Sequence, residues 1–449
     1  MPVSTFMGLE TTLRGLLAQQ SALDVTSHNI ANANTPGYTR QTAVLTASPA
    51  YDTAISGSAL PGQIGTGVSV TDYQRVRDGF IDVQLRAQTM RQGFSQATQD
   101  GLQQVELSLN EPSDNGLNSL LQSYWNAWQS VSNAPEDLAN RQSLVQNAAS
   151  LAEGFRTVSS QLDTIATQTA QNVTDTLDNV NSMGRQIAQL NDAITRAELT
   201  GQTPNDLLDQ RDTLIDQLSA LGNVGLTNGN LGSVDVTIGG ATLVSGSTAN
   251  TISELDMPSL TSGQLAGMVQ LRDVTIPSYK SQLDAVALAL KNSTNAQQAA
   301  GYDLSGNPGG AFFTGTGASD IDVDPSLMAS PALVAASGNG QPGDASNALA
   351  IADLRTKPLI GSATIDSAYA QLVSRVGSDS QESQRMLANA QLLVGSLQDR
   401  RDSVSGVSLD EEMTNLTRFQ RGYQASARAM SAIDQMLETL ISQTGKVGL

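Results

Sequence analysis

The feature that most constrains the fold is a seven-residue repeat of large side chains near the C-terminus, in the segment Gly406 to Ile441 (GVSLDEEMTNLTRFQRGYQASARAMSAIDQMLETLI). This period predicts a long amphipathic helix with a coiled-coil seam along one side. The seam combines a series spaced by seven residues with a second series four positions further along: Leu409, Leu416, Tyr423, Met430 and Leu437, then Met413, Ala427 and Ile441. Phe419, Ile433 and Leu440 lie beside the seam and widen the face, so that it could touch more than one neighbouring helix.

A matching repeat lies at the other end of the chain. Its members are Leu9, Leu16, Leu23 and Ile30, with Leu13 between them. Gln20 occupies the seam position that Gln420 occupies near the C-terminus. Two matching seams predict that the terminal helices pack against each other. Periodicity alone also fits a seam that docks within its own domain.

Composition excludes several classes of function. A chain of 449 residues is long enough for two or three domains. It has 24 basic and 43 acidic residues and a formal charge of -19, which disfavours binding to nucleic acid or to acidic membrane surfaces. It contains no cysteine, so disulfides, thiolate metal sites and cysteine nucleophiles are all excluded.

The N-terminal sequence MPVSTFMGLETTLRGLL is a poor secretory signal, because it lacks a basic region and carries Glu10 and Arg14 among its apolar residues. No apolar run is long enough to span a bilayer. These features predict a cytosolic protein, unless the chain leaves the cell by a route that needs no cleaved signal.

Turn signals and periodicity divide the chain. The first helix is predicted from about Ser4 to Asn34, and Pro36-Gly37 then supplies the centre of a type II turn. Short strand-like pieces follow over residues 41–76, and helical spacing resumes at Asp78 and continues to about Leu221. Within that region one face carries both tryptophans and is predicted to be core: Leu117, Leu120, Leu121, Tyr124, Trp125 and Trp128.

An apolar stripe from Leu151 to Ile194, interrupted only by Thr169, predicts a helical rod about 65 Å long at about 1.5 Å per residue. The candidate partners for this rod are the segments Leu207 to Leu221, Gly263 to Asn295 with a break at Pro277, and Ser367 to Val404. Residues 222–258 alternate in hydrophobicity and predict a small β insertion, and residues 301–358 predict loops and a hairpin. The fold class is therefore mainly α, a long helical bundle with terminal coiled-coil helices and a small β-rich insertion.

No catalytic, cofactor or metal site is predicted. His28 is the single histidine, so zinc-ligand sets and histidine-dependent nucleophile pairs are absent. Asp320, Asp322 and Asp324 begin like a calcium loop, but Pro325 stands where that loop needs Gly. A buried pair of carboxylates on the helical scaffold remains the route by which such a chain could be an enzyme.

Three stretches carry a resemblance to a known family. LDVTSHNIANANTPGYTRQ (Leu23 to Gln41), GTGVSVTDYQRVRDGFIDVQ (Gly65 to Gln84) and the closing seam segment resemble the terminal signatures of bacterial flagellar rod, hook and hook-associated axial proteins. Within that family, AWQSVSNAPEDLANRQSLV, the segment containing PNDLLDQRD, and GYDLSGNPGGAFF are similar to the hook-associated members that join hook and filament. The chain departs from longer members after Phe313, where they carry a larger β-rich insertion.

The resemblance implies a structural, non-enzymatic subunit that assembles as the junction between hook and filament. It implies a terminal coiled-coil domain (1–40 with 405–449), a helical middle domain (41–222 with 259–404) and a β insertion (223–258). The implied partners are copies of the chain in a helical ring, the hook protein, the next hook-associated protein, and a cytosolic export chaperone at the C-terminal helix. Export through the flagellar apparatus would place the protein outside the cell.

The resemblance also assigns the terminal seams to an assembly interface. Its residues are Leu9, Leu13, Leu16, Leu23, Ile30, Leu409, Met413, Leu416, Tyr423, Met430, Leu437 and Ile441. A rod or hook subunit is the nearest alternative, and PNDLLDQRD (Pro204 to Asp212) with the long rod argues against it. An adhesin that uses the β insertion would need an exposed aromatic or apolar patch, and residues 222–258 contain no aromatic residue.

Overall fold

The computed structural model describes residues 6–50 and 63–444. The helices in chain order are α1 Phe6–Ala31, α2 Gly79–Leu109, α3 Leu117–Asn133, α4 Leu138–Leu199, α5 Asn205–Leu221, α6 Gly263–Gln270, α7 Ile276–Ala299, α8 Pro325–Ala329, α9 Ser346–Ala352, α10 Ile365–Ser405 and α11 Leu409–Thr444. The strands are β1 Gln41–Ala47, β2 Val68–Arg75, β3 Val224–Asn228, β4 Val234–Ile238, β5 Ala241–Ser245, β6 Thr248–Ala249, β7 Phe313–Thr314 and β8 Asp322–Val323. The mainly α fold with a small β insertion is confirmed. Ser4, the predicted start of the first helix, lies outside the described residues.

The turn after α1 follows its sequence signal. The helix ends at Ala31, three residues before the predicted end, and the Tyr38 amide donates to the Thr35 carbonyl at 3.2 Å. Gly37 has a φ of 80°, the left-handed conformation that the third position of a type II turn requires. A side chain at Gly37 would collide with Thr213 of α5. The turn is therefore fixed against the middle of the chain.

The predicted rod is one uninterrupted helix. α4 has 62 residues, which corresponds to about 93 Å. The Asp137 side chain caps its N-terminus by accepting from the Ala139 amide at 2.8 Å. Thr169, the one polar residue in the apolar stripe, donates its hydroxyl to the Ile165 carbonyl at 2.7 Å, so its burial leaves no unpaired group.

Two of the three predicted partners pack on α4. α5 contacts it directly, and so do α6 and α7, which are joined by a π-helical turn at Leu271–Thr275 just before Pro277. The break expected at Pro277 takes this form because proline has no amide hydrogen to continue the α-helical pattern. α10 was predicted to be a partner of α4 but lies mainly along α2, where the Ser380 hydroxyl donates to Glu106 at 3.0 Å.

The bundle contains two hydrophobic clusters. The first, which we call the aromatic core, joins α3 and the N-terminal half of α4 to α7, α10 and the loops of residues 312–354. Its centre is the predicted tryptophan face, where the Tyr124 and Trp125 rings lie 4.9 Å apart and Trp128 stacks on Phe312 at 5.3 Å. Burial is confirmed for five of the six residues of that face, and Leu120 is half-buried at its edge.

The second cluster, the sheet core, forms where the β insertion covers the C-terminal half of α4. Strands β3 to β6 make an antiparallel sheet in sequence order. Alternate side chains of β4, Val234, Val236 and Ile238, are buried against the helices. The Asn191 side chain of α4 donates to the Val234 carbonyl at 2.8 Å and anchors the sheet. A separate antiparallel hairpin, β1 with β2, connects α1 to α2.

Candidate assembly interface

The two terminal helices pack against each other in an antiparallel pair. Gly8 faces Ile433, Gly15 faces Ser426, and Gly422 faces Gln19. Each step forward along α1 is thus matched by an equal step back along α11. Near the joint with the bundle, the Asn29 side-chain amide donates to the Glu412 carboxylate at 3.2 Å.

Small residues of α1 lie at its closest approach to α11. The buried residues of α1 are Ala18, Ala22, Thr26 and Asn29, and Gly8 and Gly15 continue this face toward the N-terminus. Glycine and alanine let the two backbones approach closely. The prediction that the terminal helices pack against each other is therefore confirmed, and the glycines of α1 mark where the two backbones come closest.

The leucine seam of α1 is a second face of the helix, partly open to solvent. None of its members is buried: Leu9, Leu16, Leu23 and Ile30 are half-buried and Leu13 is 40% exposed. Phe6, at 64% exposure, extends the same face toward the N-terminus. We call the set Leu9, Leu13, Leu16, Leu23 and Ile30 the leucine seam. A row of large apolar residues left partly exposed is typical of an interaction surface.

The seam residues of α11 differ in their exposure to solvent. Leu416, Tyr423, Ala427, Met430 and Leu437 are half-buried, along with Phe419 and Ile433. The remaining predicted members are open to solvent: Leu409 is 52% exposed, Met413 56% and Ile441 73%. Within one chain, the seven-residue series from Leu416 to Leu437 is therefore partly covered, and Leu409, Met413 and Ile441 are exposed.

Asn29 is the hub between the terminal pair and the β1–β2 hairpin. Its side-chain amide donates to the Gln41 carbonyl at 2.9 Å, and its side-chain oxygen accepts from the Gln41 amide at 3.0 Å and from the Tyr38 hydroxyl at 2.7 Å. Burial raises the pKa of the Tyr38 phenol, and the nearby carboxylates of Asp206 and Asp209 raise it further. Tyr38 therefore stays a neutral donor to this hub.

A row of aspartates on α5 binds the β1–β2 hairpin and the residues just before it. Asp206 accepts from the Gln41 side chain at 2.9 Å. Asp209 accepts from the Thr39 backbone amide at 2.8 Å and from Arg75 at 2.7 Å.

Further along α5, Asp212 accepts from Arg75 at 2.8 Å and also binds Arg77. Burial alone would lower the pKa of the Arg77 guanidinium, but the carboxylates of Asp212 and Asp82 outweigh it and the pKa is raised. Asp216 accepts from Arg86 of α2 at 2.7 Å through one oxygen and from Arg401 of α10 at 2.9 Å through the other.

We call Asp206, Asp209, Asp212 and Asp216 the acidic stripe. Sequence reasoning did not identify it as part of a site, although PNDLLDQRD contains its first three members. The spacing of these acids could have revealed the stripe, because acids at steps of three, three and four residues share one face of a helix.

The remaining sequence candidates do not form a common site. His28 lies 3.4 Å from Asp206 beside an open cleft of about 630 Å³ between the Pro36-Gly37 turn and helices α4 and α5. Asp320 accepts from the Thr316 and Gly317 amides of its own loop, and these bonds lower its pKa. Over residues 6–50 and 63–444, no group of three histidine or acidic side chains is placed to hold a metal ion. The described helices include none long and apolar enough to cross a membrane.

Three known protein families match different parts of the chain. The family described as the flagellar hook-associated protein FlgK helical domain matches residues 102–259 and 253–313. The family described as the flagella basal body rod protein matches residues 9–39, and that described as the flagellar basal body rod FlgEFG protein C-terminal matches residues 400–443. The terminal helices thus match families named for the basal body rod, and the middle matches a hook-associated one.

Relatives that align over nearly the whole chain also carry the hook-associated name. Flagellar hook-associated protein 1 of Bacillus subtilis is 34% identical over 99% of both chains. The proteins of the same name from Salmonella typhimurium and Escherichia coli are 28% and 27% identical over 96% and 97% of this chain, and over 98% and 99% of their own. The solved structure of the flagellar hook junction protein FlgK from Burkholderia pseudomallei has a TM-score of 0.65 at 19% identity, covering 72% of this chain and all of that one, and so has the same fold. The chain belongs to the flagellar hook-associated protein 1 family.

Proposed function

We propose that the chain is a structural, non-enzymatic subunit of the bacterial flagellum that assembles as the junction between hook and filament. The observation that carries the proposal is the leucine seam of α1, which the chain's own helices leave partly exposed in a member of the hook-associated protein 1 family. A soluble monomer gains nothing from the exposed part of such a row, whereas subunits that pack side by side would bury it.

The assembly interface in this proposal comprises the twelve predicted seam residues in two roles. Leu416, Tyr423, Met430 and Leu437 support the pairing of α11 with α1. The leucine seam and the exposed residues Leu409, Met413 and Ile441 form the contacts between subunits. Burying one such side chain fully contributes about 1.5 to 3 kcal/mol, so closing a contact over the exposed part of each contributes a fraction of that, and these fractions add along the row in every subunit.

Hook-associated and rod or hook subunits differ in the middle of the chain. The terminal matches alone would also suit a rod or hook subunit. Residues 102–259 and 253–313 match the hook-associated helical domain, and the relatives that cover the whole chain carry the hook-associated name. This favours the junction over the rod or hook.

The proposed partners follow from that position. They are copies of this chain in a helical ring, the hook protein on one side and the next hook-associated protein on the other. We further propose that a cytosolic chaperone holds α11 before export through the flagellar apparatus, because α11 presents exposed apolar side chains in the free chain. The proposed domain division is 1–40 with 405–449, 41–222 with 259–404, and 223–258.

The test is to incubate the purified chain with isolated hooks and locate it by immunoelectron microscopy. The proposal expects the chain at the distal tip of hooks, followed by filament growth from tips that carry it. Attachment along the sides of hooks, or none at any concentration, would contradict the junction role.

A further inference from the structure

The terminal helix pair is attached to the bundle by polar contacts. Among the described residues, the aromatic core and the sheet core draw no side chain from residues 6–50 or 63–101. The pair and the β1–β2 hairpin therefore lie outside both hydrophobic clusters. Something else has to fix the direction in which the leucine seam faces.

The acidic stripe of α5 is placed to do this. Asp209 and Asp212 hold Arg75 at the end of the hairpin, and Asp212 also holds Arg77 at the entry to α2. Asp216 continues the row by binding Arg86 of α2 and Arg401 of α10. Helix α5 thus binds the hairpin, helix α2, which follows the hairpin, and helix α10, which precedes α11.

These ion pairs are better placed to hold a geometry than surface pairs are. The side chains of Asp209 and Asp212 are 7% and 17% exposed, and that of Arg75 is 17% exposed. Exposed ion pairs contribute little because water and salt screen them, whereas removing one partner of a shielded pair leaves an uncompensated charge. The bonds of Asp216 to two arginines, one through each oxygen, also restrict its direction.

We propose that the acidic stripe fixes the terminal helix pair at one angle to the bundle, so that Asp212 and Asp216 are positioning residues for the assembly interface. Loss of these carboxylates leaves both hydrophobic cores intact and frees the pair to pivot about the hairpin. The consequence for assembly rests on the proposed function. The orientation itself can be measured on the free chain.

The experiment uses the full chain, whose lack of native cysteine allows two unique spin labels. Asp24→Cys places one label on α1, Ser160→Cys places the other on α4, and both side chains are exposed. The distance distribution is measured in the parent and in Asp212→Ala with Asp216→Ala. The matched control is Asp163→Ala, which removes an acid paired with Lys280 on the bundle, away from the stripe.

The stripe variant is expected to broaden the distance distribution and the control to leave it narrow, both measured at a temperature where calorimetry shows the bundle of each variant to be folded. Addition of 1 M salt, about 3 Å of screening length, is expected to broaden the parent less than the substitutions do. An unchanged distribution in the stripe variant would overturn the proposal, since the hairpin and Asn29 would then suffice to fix the angle.

Binding to hook tips separates this inference from the proposed function. If the parent fails to bind hooks, the proposed function fails while the distance result still stands. If the parent binds, the stripe variant is expected to bind at least about tenfold more weakly, because its seam is intact but no longer held in place. Parent-like binding by a variant with a broadened distribution would overturn the positioning role.

Discussion

Leu13→Asp tests the leucine seam at its most exposed member. Leu13 is 40% exposed in the free chain, so closing a subunit contact over it removes a minor part of its surface from water. Full burial of a leucine contributes about 1.5 to 3 kcal/mol, and the exposed 40% therefore accounts for about 0.6 to 1.2 kcal/mol. An unpaired carboxylate at the closed contact costs several kcal/mol more. Since about 1.4 kcal/mol is a factor of ten, we expect binding to hooks to weaken by roughly 100-fold or more.

The same substitution has a small effect on the free chain. Aspartate in a helix interior costs below about 1 kcal/mol relative to leucine, and the substitution also loses the part of Leu13 that its own chain covers; both costs fall on α1, outside both cores. The melting temperature of the bundle is therefore expected to stay unchanged. The assay is co-sedimentation of purified variant with isolated hooks, run beside calorimetry of the variant alone.

The matched control is Ser21→Asp, on the flank of α1 that also carries Glu10 and Arg14. It introduces the same charge into the same helix away from the leucine seam, and we expect it to bind hooks like the parent. If Leu13→Asp also binds like the parent, the seam is not a subunit contact. If it instead lowers the melting temperature of the bundle, the leucines belong to an internal core.

Further predictions concern pairing, modularity and the core. Tyr423→Asp, at a half-buried position of α11, is expected to increase hydrogen exchange in α1 without altering the bundle. The control Gln435→Glu, at an exposed position of α11, is expected to leave hydrogen exchange in α1 unchanged. Equal exchange in both variants would refute the pairing. A fragment of residues 41–405 is expected to melt cooperatively near the temperature of the full chain but not to bind hooks, and a molten fragment would show that the cores depend on the termini. Trp128→Ala, at a buried site, is expected to cost about 3 to 5 kcal/mol and to lower the melting temperature by roughly 5 °C, while Leu255→Ala, at a 95% exposed site, has no effect in the same thermal scan.

Much of the fold could be predicted because local signals coincide with what the tertiary structure requires. Pro36-Gly37 ends α1 in a turn that only a residue tolerant of positive φ can complete, and Gly37 has that conformation. The Tyr124, Trp125 and Trp128 face is apolar at helical spacing and becomes the centre of the aromatic core. At these positions the residues of one short stretch determine the local structure.

The pairing of faces could not be predicted in the same way. Periodicity identifies which residues of α1 are large and apolar, but the closest approach to α11 lies at Gly8 and Gly15, which a search for leucines passes over. The partners of the acidic stripe are distant in sequence, with Arg401 lying 185 residues from Asp216. The length of α10 predicts α4 as its partner, but α10 packs along α2, where Ser380 donates to Glu106. Each of these depends on contacts between segments that local patterns do not encode.

The most direct test of the leucine seam as a subunit contact is thiol reactivity at Leu13→Cys before and after binding to hooks. The chain has no cysteine of its own, so a maleimide reports on this one position. Ser21→Cys, on the polar flank, is labelled in parallel to measure any general loss of access at the hook tip. We predict that labelling at position 13 is rapid in the free chain and strongly suppressed in the hook-bound chain, relative to position 21. Equal suppression at both positions, or rapid labelling of Leu13→Cys on the hook, would contradict the account.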